Sequence, residues 1–302
     1  MLAFLALVLG QAALGTWSSG RPPECADARG RTANVWEQAK SPELRRYCDL
    51  VASALSKLAG TTIMAQTALE EARIADGLLP GHAAPRVLEG RALASLGRLG
   101  EAFTALSDAK AIDRHALDDA GSLLVWARVL ARTGHPDQAW PAYRKLLPLA
   151  VALSSADRAC AAIEAGLVAI ALGPSAIDDA VAALRDGMRL AQDDAEAVAV
   201  LGLALALDRR GDVDEARALL ADRVHGDPRA ALATGRAKEL TAVAQSERAA
   251  LAAVAFEVTD MAGARMAWQE YLSAAPDGPW AGGVRLRLAT VGAKRPAGRR
   301  SR

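Results

Sequence analysis

The segment RRGDVDEARALLADRVHGDP, residues 209–228, ends one amphipathic pattern and begins another, and its layout recurs along the chain. Gly211 is placed to stop a helix, because glycine alone turns freely to positive φ. Asp212 is placed to cap the next helix. Ala216 follows five residues after the glycine, and Pro228 closes the unit. The same order returns as Gly97, Ala102 and Ala109, as Gly134 and Ala139, and as Gly173 and Ala180 with a longer turn. It returns again as Thr259, Ala264 and Pro276, with threonine where the glycine belongs. An earlier copy, TALEEARIADGLLP, places Ala68, Ala75 and Pro80. A helix break recurring at intervals of roughly 36–48 residues is the signature of a repeat array.

Each break is preceded by a second amphipathic stretch with a small residue seven positions upstream: Gly90, Ala127, Gly166, Ala204 and Ala252. Two helices joined by a short turn pack antiparallel, and they approach closely only where a small residue on each faces the other. Composition agrees with such contacts. Hydrophobic residues make up 52 % of the chain but aromatics only 4 %, so the core is built from small side chains.

These positions resemble the tetratricopeptide repeat (TPR) family, whose 34-residue unit carries small residues at positions 8, 20 and 27 and a proline at 32. Residues 197–230 fit best, with Ala204, Ala216 and Pro228. Residues 83–116, 120–153 and 245–278 fit in turn, 156–192 fits with its longer turn, and 36–80 fits loosely. Position 27 departs from the pattern at Leu146, Gly187, Arg223 and Tyr271, and Arg86 stands where the family has a bulky residue. The resemblance implies an all-α fold. It would be an α-solenoid of about six antiparallel helix-turn-helix repeats over residues 36–291, ending in a capping helix.

Residues outside the repeats carry their own signals. Residues 1–15 read as a secretory signal peptide: an apolar run from Leu2 to Leu9, then Ala13 and Gly15 before a cleavage point at Thr16. Residues 16–35 are an N-terminal linker. Arginine outnumbers lysine, as in a GC-rich bacterial coding sequence, so an exported bacterial protein of the periplasm or cell envelope is expected. In that setting Cys25 and Cys48 can pair, and the other reading is three reduced thiols including Cys160. Residues 231–244, ALATGRAKELTAVA, are extra to the array and read as an added or lengthened helix. Residues 279–291, PWAGGVRLRLATV, read as the helix covering the apolar edge of the last repeat. Residues 292–302 hold Lys294, Arg295, Arg299, Arg300 and Arg302 without an acidic residue, and are expected to be a disordered basic tail.

Chemistry is harder to find. The formal charge of +1 gives no global field for nucleic acid. GxSxG, HExxH, a phosphate-binding loop, a dinucleotide fingerprint and CxxC are all absent. His82, His115, His135 and His225 fall in inter-helix loops, and Asp118–Asp119, Asp178–Asp179 and Asp193–Asp194 fall at helix starts, where capping accounts for them. No enzyme activity, cofactor or metal is expected. Arg210-Gly211-Asp212 coincides with a repeat turn that already requires glycine and aspartate.

Surface remains. In the family, the first helix of each repeat lines a concave groove, and the equivalent positions here are Arg91, Arg128 and Arg132 in the second and third repeats. Guanidinium groups on one wall suit a carboxylate or phosphate, and the plainer reading is a solvated face. The family's best-known peptide binders carry an asparagine where arginine stands here, so the same ligand class does not transfer. Farther along, the groove positions turn apolar: Ile163, Leu167 and Ile170, then Val198, Leu201 and Leu205. An apolar groove takes an amphipathic helix or an extended peptide, or it is filled by the chain's own neighbouring segments. Trp126, Trp140 and Trp268 lie at helical spacing and read as core. The function expected is a non-catalytic scaffold that binds a protein or peptide on its concave face. The alternative is an envelope-associated protein docking to anionic polymer or lipid through the basic tail, by contacts that weaken with salt.

Overall fold

The computed structural model describes residues 22–25, 42–58, 62–233 and 235–293. Among these all regular structure is helical, as the repeats require. The residues fall into two compact units, divided between Thr133 and Gly134.

In the first unit a 3-10 turn at Pro23–Cys25 precedes five helices: α1 (Pro42–Lys57), α2 (Thr62–Leu78), α3 (Ala83–Ser95), α4 (Leu99–Ile112) and α5 (Ala120–Arg132). The pairs α1–α2 and α3–α4 form hairpins, α2 packs on α3, and α4 packs on α5. Each hairpin therefore shields the apolar flank of the next. The small-residue rule is visible at Gly90, where an added Cβ would lie 2.5 Å from Leu106 Cγ and 3.3 Å from the Ala102 carbonyl oxygen. The hairpin closes on backbone there, and Ala102 and Ala109 are fully buried beside it. Trp126 of α5 stacks on Phe103 of α4 with ring centroids 5.7 Å apart, so it belongs to the core.

Cys25 and Cys48 are joined by a disulfide with Cα atoms 5.7 Å apart, which ties the 3-10 turn to α1. Tyr47 beside it is fully buried and donates a hydrogen bond to Glu24. Burial first, and that hydrogen bond second, push its hydroxyl well above the ordinary tyrosine range.

The second unit begins with α6 (Pro136–Leu146) and a 3-10 turn, Leu147–Ala152. Then come α7 (Ser155–Leu172), α8 (Ile177–Leu190), α9 (Asp193–Arg210) and α10 (Val213–Arg223). Two short helices follow, α11 (Pro228–Ala233) and α12 (Gly235–Thr241), with a 3-10 turn at Ala242–Glu247. The unit ends with α13 (Arg248–Thr259), α14 (Met261–Ala274) and α15 (Ala281–Ala293). The helices α7–α8, α9–α10 and α13–α14 pair as hairpins. Glycines draw the inner ones together: a Cβ on Gly187 would sit 2.7 Å from Ile163 Cγ1, and one on Gly202 would sit 2.8 Å from Leu184 Cδ2.

The stretch at 209–228 forms as its sequence implies, with one exception. Gly211 has φ 103° and ends α9, and the Asp212 N–H closes back on the Leu207 carbonyl at 2.9 Å. Asp212 stands at the start of α10 but does not bond a helix N–H, because the nearby Arg210 Nε–H takes its carboxylate. Asp119 does cap its helix, accepting from the Ser122 N–H at 2.9 Å. The other acidic pairs, Asp178–Asp179 and Asp193–Asp194, do not occupy the cap positions, which are Ala176 and Gln192. They lie in the first turns of α8 and α9, where the helix dipole favours them, and Asp178 also lies 3.6 Å from Arg210 Nη1.

Candidate protein-interaction surfaces

In the first unit, Arg91 lies on α3, and Arg128 and Arg132 lie one turn apart on α5. None of the three is freely exposed; each is half-buried. The Arg91 guanidinium reaches the start of α5, where a Cβ on Gly121 would lie 3.5 Å from its Nη2. Burial pulls its affinity for the proton down, and the nearby Asp119 carboxylate pulls it partly back up. Arg128 and Arg132 also make contacts inside the protein. A guanidinium that has already lost part of its water gives up less on meeting a carboxylate than a fully solvated one.

The apolar groove positions of the second unit end up elsewhere. Ile163, Leu167 and Leu205 are fully buried and Leu201 is 1 % exposed, so none of the four lines an open surface. Of the two readings left open for these residues, filling by the chain itself describes them. Ile163 and Leu167 pack toward Gly187 and Gly202 inside the helix stack. The extra segment supplies the cover: α12 packs on both α7 and α9, and the turn at Ala242–Glu247 packs on α7. Leu240 and Val243 are its buried apolar anchors.

That segment is fastened at its end by an ion pair. Arg209, on the last turn of α9, meets Glu247 at 2.6 Å, and both side chains are at most 5 % exposed. The guanidinium lies over the Trp280 ring at 4.7 Å and near the Tyr271 ring at 5.4 Å. Burial drives the Glu247 carboxyl above the usual glutamate range, with Arg209 opposing it. The C-terminal helix also does more than cover the last repeat. It packs on α14, and Arg287 reaches back to grip Asp208 through two hydrogen bonds of 2.8 and 2.5 Å. Trp280 just before it donates its indole N–H to the Ile170 carbonyl at 2.8 Å.

None of Asp208, Arg209, Glu247, Trp280 and Arg287 was singled out by spacing, since the Arg287–Asp208 pair bridges 79 residues. The one local hint is Trp280, an indole after a proline in a segment between helical patterns. The four histidines do sit between or at the ends of helices. Among the described residues no cluster of three or more metal-ligating side chains occurs, and no helix is long and apolar enough to cross a membrane. The expected leader at residues 1–15, most of the expected linker, and the basic residues from Lys294 to Arg302 lie outside the described residues.

No protein-family model matches the chain, and no curated protein matches it. Solved structures do resemble it. One is the crystal structure of YrrB, described as a TPR protein with an unusual peptide-binding site. It shows 16 % identity over 74 % of this chain and 99 % of its own, with a TM-score of 0.42. Another is the structure of Naa15/Naa10 bound to HypK-THB, with 13 % identity over 84 % of this chain and 40 % of that one, at a TM-score of 0.37.

Proposed function

We propose that the chain is a non-catalytic scaffold that binds a protein or peptide through its helical hairpins, with Arg91, Arg128 and Arg132 as the polar part of the contact. The observation that carries this reading is the placement of three half-buried arginines on α3 and α5, the helices that open successive repeats. Stacked hairpins present ordered helix faces, and binding rather than turnover is what such repeats favour. The partner chemistry that fits is a carboxylate- or phosphate-bearing segment, because a guanidinium grips either with paired hydrogen bonds. We further infer export to the periplasm or cell envelope. The Cys25–Cys48 disulfide supports it, since such bonds persist in oxidising compartments. The apolar run from Leu2 to Leu9 supports it as well.

The test is crosslinking in the native host, followed by capture from the envelope fraction with the wild-type chain and with the Arg91→Ala/Arg128→Ala/Arg132→Ala variant. Loss of specific partners from the folded variant is the expected result. Identical recovery of every partner dismisses the arginine contact, and a chain found only in the cytosol dismisses the location.

A further inference from the structure

Between α11, the turn at Ala242–Glu247, α13 and α14 the second unit holds a cavity of about 430 Å³. Small apolar side chains line part of it. Ala233 and Ala274 are exposed and Ala249 is half-buried, with the buried Leu232 and Ala252 behind them. Three charged groups line the same space: the guanidinium groups of Arg229 and Arg248 and the carboxylate of Glu270. The lining therefore carries one positive charge in surplus.

The surplus falls on Arg248. Arg229 is matched by Glu270 at 3.0 Å. Arg248 donates from Nη2 to the Leu232 carbonyl at 2.8 Å, an acceptor without net charge. The adjacent Glu247 is turned to Arg209, and among the described residues no other carboxylate pairs with Arg248. Its Nε and Nη1 find no protein acceptor among those residues either, and neither atom is sealed off from solvent. The side chain is half-buried. Such a guanidinium has lost part of its water without gaining a counter-charge, and an anion entering the cavity supplies one.

Charge and lining together select the guest. One surplus positive charge matches a monoanion, whereas a phosphate monoester at neutral pH brings nearly two negative charges. A neutral amide leaves Arg248 unmatched, and a cation adds to the surplus. The alanine side chains take a hydrocarbon body, and the volume lies toward the lower end of the range for ligand pockets, about 300–1,000 Å³. We propose that this cavity binds a small monocarboxylate with a short apolar body, its carboxylate on the open donors of Arg248 and its hydrocarbon against Ala233, Ala249 and Ala274. The site uses none of the arginines on α3 and α5, so it stands or falls independently of the function proposed above.

Four probes separate the possibilities: pentanoate, pentanamide, pentylamine and inorganic phosphate. They are titrated into the full-length chain carrying ¹³C-methyl alanine, and the Ala249 and Ala274 methyl signals are followed after assignment by single Ala→Ser variants. Pentanoate is expected to shift both signals saturably. Pentanamide and pentylamine are expected to bind at least about tenfold more weakly, because neither brings the missing negative charge. Inorganic phosphate lacks the hydrocarbon body and should also bind more weakly. Two variants should act in opposite directions. Arg248→Gln should lower pentanoate affinity about tenfold, and Glu270→Gln, which removes the competing carboxylate, should raise it about threefold. The Arg229–Glu270 pair is exposed, so its loss should leave the circular dichroism unchanged. Four results overturn the proposal: no saturable shift at Ala249 and Ala274, any other probe binding as tightly as pentanoate, unchanged affinity in folded Arg248→Gln, or unchanged or weaker binding in Glu270→Gln. Should Arg248→Gln not fold, the order of the probes and the sign of the Glu270→Gln effect decide.

Discussion

Replacing Gly90 with alanine is a direct test of how the α3–α4 hairpin closes. In the interior of a helix this exchange normally stabilises by about 0.5–1 kcal/mol, because glycine loses more backbone freedom on folding. Here the new methyl would fall 2.5 Å from Leu106 Cγ, 2.7 Å from its Cδ2 and 3.3 Å from the Ala102 carbonyl. Leu106 is fully buried, so it cannot swing into solvent to make room. Overpacking of this kind costs about 1–3 kcal/mol. The overlap wins, and the expected net loss is about 1 kcal/mol, a drop in Tm of about 4 °C for a unit of this size. Gly77→Ala is the matched control. It lies in α2 with nothing within 4 Å of the added Cβ, so it should stabilise by about 0.5 kcal/mol. The assay is chemical denaturation followed at the helical circular dichroism band, comparing midpoints at constant slope. Gly90→Ala combined with Leu106→Ala should recover part of the loss from Gly90→Ala relative to Leu106→Ala alone. Equal stabilisation by Gly77→Ala and Gly90→Ala would refute the claim that this hairpin is held at backbone contact.

Three further outcomes are expected. Unreduced, denatured protein should show one reactive thiol, that of Cys160, and reduction should lower stability by roughly 3 kcal/mol on the chain-entropy account of a 23-residue separation; three thiols before reduction would remove the disulfide. Because burial raises the Glu247 carboxyl in the folded state, the native chain binds that proton more tightly than the unfolded chain does. Stability should then fall as pH rises from the ordinary glutamate value of 4.5 to the raised folded value, and level off above it. Glu247→Gln, which mimics the protonated carboxyl, should flatten that slope in a Tm-against-pH series and lie closest to the wild type at the acid end. Arg287→Met should cost about 1–3 kcal/mol by leaving the 8 %-exposed Asp208 without its paired donors, read as a denaturation midpoint shift.

The hairpins were legible because their cause is local. A glycine that ends α9 and an alanine that lets α10 approach lie within a few residues of each other, so Gly211 and Ala216 announce the turn in sequence. The same holds for Gly90 facing Ala102. What could not be read was how side chains separated by dozens of residues meet. Leu167 and Leu201 have the spacing of a groove and the spacing of a core alike, and only the packing of the neighbouring helices, as where Leu167 faces Gly202, decides between them. Asp212 shows a smaller failure of the same kind: the cap position is right, but Arg210 competes for the carboxylate. Of the candidate surface, the arginines on α3 and α5 were visible from the groove positions that the resemblance to the repeat family implies, while their partial burial depends on neighbours such as the start of α5.

The segment that covers α7 and α9 is part of the same polypeptide, and this sets a threshold for anything arriving from outside. A tethered segment competes at an effective concentration on the millimolar scale, whatever the amount of protein present. A free helix at micromolar levels would need an intrinsic affinity about a thousand times greater to take its place. In the second unit the inner helices thus answer first to their own chain.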